Sequence, residues 1–252
     1  QDLWDVRAHK TEITAGGDVM ARAGGMTFLE GTGITAQGGI DLASGGDLIL
    51  SAAQDVREYR YRTYSKNYFR TKSYQLSETR VTNDGADLVA GGDIDLESTN
   101  GNLTTAGARI ESRGGDINIS ATQGDIYAGT FTDVNRSEAI SRRSTFFGLF
   151  SSNSSSLIDT RRATGTGALA SANLSLVSGG NTTLIGAKLA AGGDLNLNVG
   201  GDLNILAAIN SERKEFFESK VGAILATTET ERSNRETAIL TSLSADGNIS
   251  FS

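Results

Sequence analysis

The sequence predicts an all-β chain folded as a parallel β-helix, a β-solenoid from which long β-hairpins project. Three observations carry this. Gly-Gly-Asp occurs six times in 252 residues. Each copy is followed by a run in which apolar and polar residues alternate, as in Ile94-Asp95-Leu96 and Leu195-Asn196-Leu197, so every run can bury one side against a shared interior. Equivalent turns recur at 21 to 23 residues, as from Gly17 to Gly39, Gly92 to Gly115 and Gly180 to Gly201, the length one solenoid coil needs for its strands and corners.

The coils read as about 13–52, 85–128, 168–206 and a restart at 243–252. Their corners are Gly16-Gly17-Asp18, Gly45-Gly46-Asp47, Gly91-Gly92-Asp93, Gly114-Gly115-Asp116, Gly192-Gly193-Asp194 and Gly200-Gly201-Asp202. Paired glycines at a corner suggest positive φ, and the Asp beside them suggests an Asx-turn to a nearby N–H, a role that Asn102, Asn181 and Asn248 can share. Three excursions interrupt the rhythm at about 53–84, 129–167 and 207–242, entered some 75 to 80 residues apart. Removing them leaves six or seven coils, a rod of roughly 30 Å at about 4.8 Å per coil. Each excursion has two polar arms around a tip with few charges, the layout of an exposed β-ribbon. Helix remains open for 211–226, because Ser211–Glu218 is rich in good helix formers; the shared layout favours the hairpin.

Composition narrows the function. With no Cys there is no disulfide and no thiolate metal site, and the absence suits a chain exported unfolded. A net charge of −7 argues against a general nucleic-acid binder. No apolar run approaches the roughly 20 residues that span a bilayer. Gln1 is not an initiator residue and no signal-peptide pattern follows it, so the chain reads as a piece of something longer. Its open coil ends could stack on a second copy.

No catalytic residue, cofactor or metal is expected. His9, the single histidine, lies outside the repeats. A polysaccharide lyase on this fold would gather its carboxylates once, in one groove, whereas here Asp recurs at every corner and reads as a turn residue. Calcium-binding solenoids use a tighter Gly-Gly-x-Gly-x-Asp repeat than the one present.

The Ala-Gly-Gly-Asp-Ile-Asp-Leu type units (Ala90–Leu96, Ala191–Leu197) and the polar insertions entered by Ala-Ala-Gln-Asp or Ala-Ala-Ile-Asn resemble the haemagglutinin repeats of filamentous haemagglutinin and of contact-dependent growth inhibition exoproteins. The resemblance covers essentially the whole chain. It implies a right-handed helix and a non-catalytic segment of a very large exoprotein, exported by two-partner secretion through an outer-membrane transporter. It implies a place outside the Gram-negative cell, secreted or on the surface, in a filament that supports adhesion or toxin delivery into a target cell. Asn-Pro signatures of the secretion domain are absent, since the chain has no Pro.

Any contact with a target is then expected in the excursions. The first interleaves aromatic and basic residues, Tyr59, Arg60, Tyr61, Arg62 and Tyr64, with the tyrosines 59 and 61 on one face and the arginines 60 and 62 on the other. Such a strip either takes up an anionic surface or glycan or holds the ribbon together by cross-strand pairing, and the pairing is favoured. Phe146, Phe147, Leu149 and Phe150 form an apolar tip beside Arg142 and Arg143. They read either as a partner or membrane contact or as a tip folded back on a neighbouring hairpin or on the rod, and folding back is favoured.

Overall fold

The computed structural model describes the backbone of residues 1–252 and every side chain except that of Phe147. Each coil contributes one strand to each of three parallel sheets. Sheet I stacks Thr11–Ala15, Thr32–Ala36, Asp87–Ala90, Arg109–Ser112, Gly167–Ala170, Lys188–Ala191 and Ser242–Ala245. Sheet II stacks Val19–Ala23, Ile40–Ser44, Ile94–Ser98, Ile117–Ala121, Leu174–Ser178, Leu195–Val199 and Ile249–Phe251. Sheet III stacks Thr27–Glu30, Leu48–Ser51, Leu103–Ala106, the start of Ile126–Thr145, Thr182–Ile185 and Leu203–Leu206. The described residues thus build six three-stranded coils and a seventh with two strands.

The period-2 pattern drives this arrangement. In sheet II, Val19, Ile40, Ile94, Ile117, Leu174, Leu195 and Ile249 occupy one register position and stack inward. Ile40, Ile94, Ile117, Leu174 and Leu195 are fully buried, as are Ile34, Leu88 and Ile110 of sheet I and Leu48 and Leu103 of sheet III. One continuous apolar column fills the rod, and each fully buried Leu or Ile contributes roughly 1.5–3 kcal/mol.

The corners work differently from the expectation of positive φ and Asx-turns. None of the Gly-Gly-Asp glycines has positive φ. From the second coil on, the first glycine of each corner has the coil beneath too close for a side chain: a Cβ on Gly91 would strike the Gln37 carbonyl oxygen, and one on Gly192 the Ser171 carbonyl oxygen, whereas Gly16 and Gly17 in the first coil have nothing within 4 Å. The Asp side chains reach the next coil instead of their own turn. Between sheets I and II, Asp18 accepts from Gly39 N–H (2.8 Å), Asp93 from Asp116 (2.8 Å), Asp116 from Asn173 (2.7 Å), Asn173 from Asp194 (2.9 Å) and Asp194 from Asn248 (2.7 Å). Between sheets II and III, Asp47 accepts from Asn102 (2.8 Å), Asn102 from Asp125 (2.9 Å), Asp125 from Asn181 (2.6 Å) and Asn181 from Asp202 (2.7 Å). This second ladder alternates Asp and Asn without exception, which keeps two carboxylates from stacking about 4.8 Å apart.

Positive φ appears at the third corner, between sheets III and I, at Gly31, Gly107 and Gly186 (φ 51°, 60° and 56°) in the first, third and fifth coils. In the second, fourth and sixth coils the chain leaves this corner as a hairpin. A side chain at Gly31 would also collide with the Ala53 methyl at the base of the first hairpin.

Replacing Asn181 by Asp sets three carboxylates in a row with Asp125 and Asp202. The expected loss is about 1–2 kcal/mol in low salt, read as a lower urea midpoint, and added salt should restore most of it. Asn181→Ala should lose stability without that salt response.

Candidate functional site

The three excursions are hairpins: Ala53–Lys66 with Arg70–Asp84, Ile126–Thr145 with Phe150–Gly165, and Ala208–Val221 with Ala226–Ile239. Residues 211–221 are therefore strand, and the helical alternative for that arm does not occur. The hairpins also pair with each other. Arg70–Asp84 is antiparallel to Ile126–Thr145, and Phe150–Gly165 to Ala208–Val221. Asp2–Val6, which carries no local turn or repeat signal, joins as a further antiparallel strand on Ala53–Lys66. The result is one seven-stranded antiparallel sheet, a fin rooted at the corner between sheets III and I and about 45 Å long at 14 residues per arm.

The fin is a single layer. No described residue within 54–84, 130–165 or 209–239 is buried. Its cohesion comes from the backbone ladder and from paired side chains. One transverse row on one face reads Glu58, Thr79, Arg136, Asp159, Arg213, Asn234, with the opposite charges of Arg136, Asp159 and Arg213 set directly across from one another. Residues two apart along a strand pair as well: Arg60–Glu58 (3.4 Å), Arg213–Glu215 (2.6 Å), Lys214–Glu212 (2.8 Å) and Lys220–Glu218 (2.9 Å). The hydrogen bond from Arg213 holds Glu215 below the usual carboxylate range, and that from Lys214 does the same for Glu212. Because these folded-state values are lowered, their stabilising effect is present above the ordinary carboxylate pKa and is lost as pH falls through the lowered one. Solvent keeps it small.

Tyr59 and Tyr61 lie on one face and Arg60, Arg62 and Tyr64 on the other. Tyr61 leans on Tyr74, ring centres 6.2 Å apart; Tyr61 and Tyr64 remain exposed. All three tips lie along the outer edge of the fin. Of the two packings favoured from the sequence for the second tip, on a neighbouring hairpin or on the rod, it takes the first. Phe146 N–H donates to the Phe69 carbonyl (2.8 Å), and the Phe146 ring sits 6.3 Å from that of Phe69 and 6.1 Å from that of Phe150. Tyr68, Phe69, Phe146, Leu149, Phe150 and Leu225 stay exposed, and Ile224 is 100% exposed. The side chain of Phe147 lies outside the described residues. Phe146 itself has φ 51°, an uncommon conformation for a bulky residue and one that concentrates at functional sites.

Charge divides between the two parts. The hairpins 53–84, 130–165 and 208–239 hold 17 of the 23 Lys and Arg and 13 of the 30 Asp and Glu, a net +4; the remaining 6 and 17 give −11 elsewhere. Much of that negative charge borders sheet II, on the ladders of Asp18, Asp93, Asp116 and Asp194 and of Asp47, Asp125 and Asp202. Sheet II is the side across the three-sided coil from the root of the fin. Among the described residues no cluster of three or more His, Asp or Glu is placed to hold a metal ion, and the carboxylates of Asp18, Asp47, Asp93, Asp116, Asp125 and Asp194 accept hydrogen bonds in the ladders.

Sequence reasoning located the hairpins but not their joining, which brings together residues far apart in the chain, such as Leu76 and Ala139. It also passed over Asp125 and Asn173, full members of the corner ladders without a Gly-Gly before them. Ala139 pairs with both Leu76 and Ser156, so Ala139→Pro removes a ladder donor in the middle of the fin. The expected result is faster amide exchange in 70–84 and 130–165, with sheets I to III still protected.

No curated protein and no solved structure matches this chain. A family model described as the haemagglutinin repeat matches residues 4–68 and 68–223, and its limits at 68 and 223 fall at hairpin tips. With most of its length covered, the chain belongs to the haemagglutinin-repeat family, a repeat of secreted, filamentous-haemagglutinin-like adhesins of the bacterial surface.

Proposed function

We propose that the segment is a non-catalytic spacer of a large exoprotein, exported through an outer-membrane two-partner secretion transporter, and that its fin touches the target cell during adhesion or contact-dependent toxin delivery. One observation carries this reading: alternate coils close the corner from which the hairpins leave without any hairpin. Coils one, three and five turn the same corner within one or two residues, at Gly31, Gly107-Ala108 and Gly186-Ala187. The first two hairpins even end on a glycine at that place, Gly85 and Gly165. Removal of 52–84 would join Ser51 to Gly85-Ala86-Asp87, the same corner pattern as Ala106-Gly107-Ala108-Arg109. Long strands that bury nothing and close nothing are surface for something else.

The reading is tested by deleting 52–84 and, separately, 129–164, and measuring both thermal unfolding and binding of the labelled chain to cells. Both deletions should keep cooperative unfolding of the rod, and cell binding should fall at least tenfold. Unfolding of the rod on deletion would make the hairpins structural. Cell binding equal to that of the parent would remove the fin from the contact.

A further inference from the structure

The outer margin of the fin differs from the rest of it. Residues 64–73, 142–153 and 219–228, the ends of the arms with their tips beyond one transverse level, contain Lys66, Arg70, Lys72, Arg142, Arg143 and Lys220 and no Asp or Glu; Glu218 and Glu229 lie one step inside it. Nearer the root, carboxylates and cations intermix. Lys72 and Arg143 face each other directly across two strands of different hairpins, a like-charge pairing that destabilises a sheet. Among the described residues neither has an ion-pair partner, and the Nε of Arg70 is buried with no hydrogen-bond partner. Lys72 and Arg143 line an open cleft with Thr63, Ser65, Tyr74 and Ser141, a setting of cations and hydroxyls suited to phosphate oxygens.

The apolar residues lie immediately outside this band. Lys66 is two residues from Tyr68, Lys72 three from Phe69, Arg143 three from Phe146 and Lys220 four from Ile224. At about 3.3 Å per residue, the cations sit about 7–13 Å behind the tips. An interfacial element buries its apolar side about 5–10 Å below the headgroups, so tips at the acyl boundary would leave these cations among the lipid phosphates. A soluble polyanion would use the cations but gives no role to exposed Ile224 and Leu225.

We infer that the outer margin of the fin docks on a lipid leaflet rich in anionic phospholipid, its tips entering the interface shallowly and its basic band holding the headgroups. The acidic side of the rod, on sheet II, faces away and sets the orientation. The fin lies on the membrane and does not cross it, because its open edges would leave backbone groups unpaired in hydrocarbon. This rests on the fin being the surface that meets the target cell, and it names the chemistry of that surface.

The test is co-sedimentation of the full chain with vesicles of phosphatidylcholine and of phosphatidylcholine with phosphatidylglycerol. Binding is expected only to the anionic vesicles, weakening as salt rises. Lys72→Ala with Arg143→Ala should weaken it about thirtyfold, two charges at about 1 kcal/mol each. Ile224→Asp with Leu225→Asp, at positions whose exposure leaves the fold undisturbed, should weaken it at least tenfold. Arg22→Ala with Arg109→Ala, on the rod, should leave it unchanged. Heparin serves as a lipid-free polyanion. Equal binding to heparin that the Ile224 and Leu225 changes do not affect, with vesicle binding equally indifferent to them, overturns the inference in favour of a soluble polyanion. Absence of vesicle binding while cells are still bound overturns lipid docking and spares the fin as a contact surface. Absence of both overturns both.

Discussion

The spacing between hydrogen-bonded strands, about 4.8 Å, governs both halves of this molecule. A coil raises the rod by one such spacing, and a hairpin widens the fin by two. The hairpins can pair edge to edge along the rod only when one leaves every second coil. Glu12, Gly33, Asp87, Arg109, Gly167, Lys188 and Ser242 stack in one column of sheet I, at steps of 21, 54, 22, 58, 21 and 54 residues. Plain coils and hairpin-bearing coils alternate strictly. The repeat of 75 to 80 residues is therefore the commensurate unit of two sheets that share one spacing.

What the sequence disclosed follows from the range of each interaction. Alternation in Ile94–Ser98 is local, so it can be read from neighbours. So can the need for glycine at Gly91, although its cause is the approach of Gln37 and not a positive φ. The partner of Asp116 lies 57 residues away, at Asn173, and nothing near Asp116 announces it. The joining of Leu76 to Ala139 depends on the rod bringing two roots together. Asp2–Val6 has no turn beside it and is a strand only because Ala53–Lys66 offers it an edge. The tips show the same limit. Their composition was legible, whereas their gathering along one margin is a property of the assembled fin.

Rod and fin solve opposite problems with the same alternating strands. The rod buries one side of each strand and ties its corners with two ladders of Asp and Asn acceptors, one of them strictly alternating. The fin buries neither side, so it depends on cross-strand charge pairs and on the rod to hold its roots at the right height. The absence of carboxylates toward the tips is what separates that margin from the remainder of the sheet.

Gly85 and Gly165 have a consequence for how such a chain can change over time. Each sits where a plain coil would place its turn glycine, yet neither is left-handed while the hairpin is present. The solenoid backbone thus carries a ready splice point on the far side of two insertions. A recombination event that swaps one cassette for another of equal width exchanges the tip chemistry and leaves the hydrophobic column untouched. The surface can diversify at the speed of loops on a scaffold that evolves at the speed of a core.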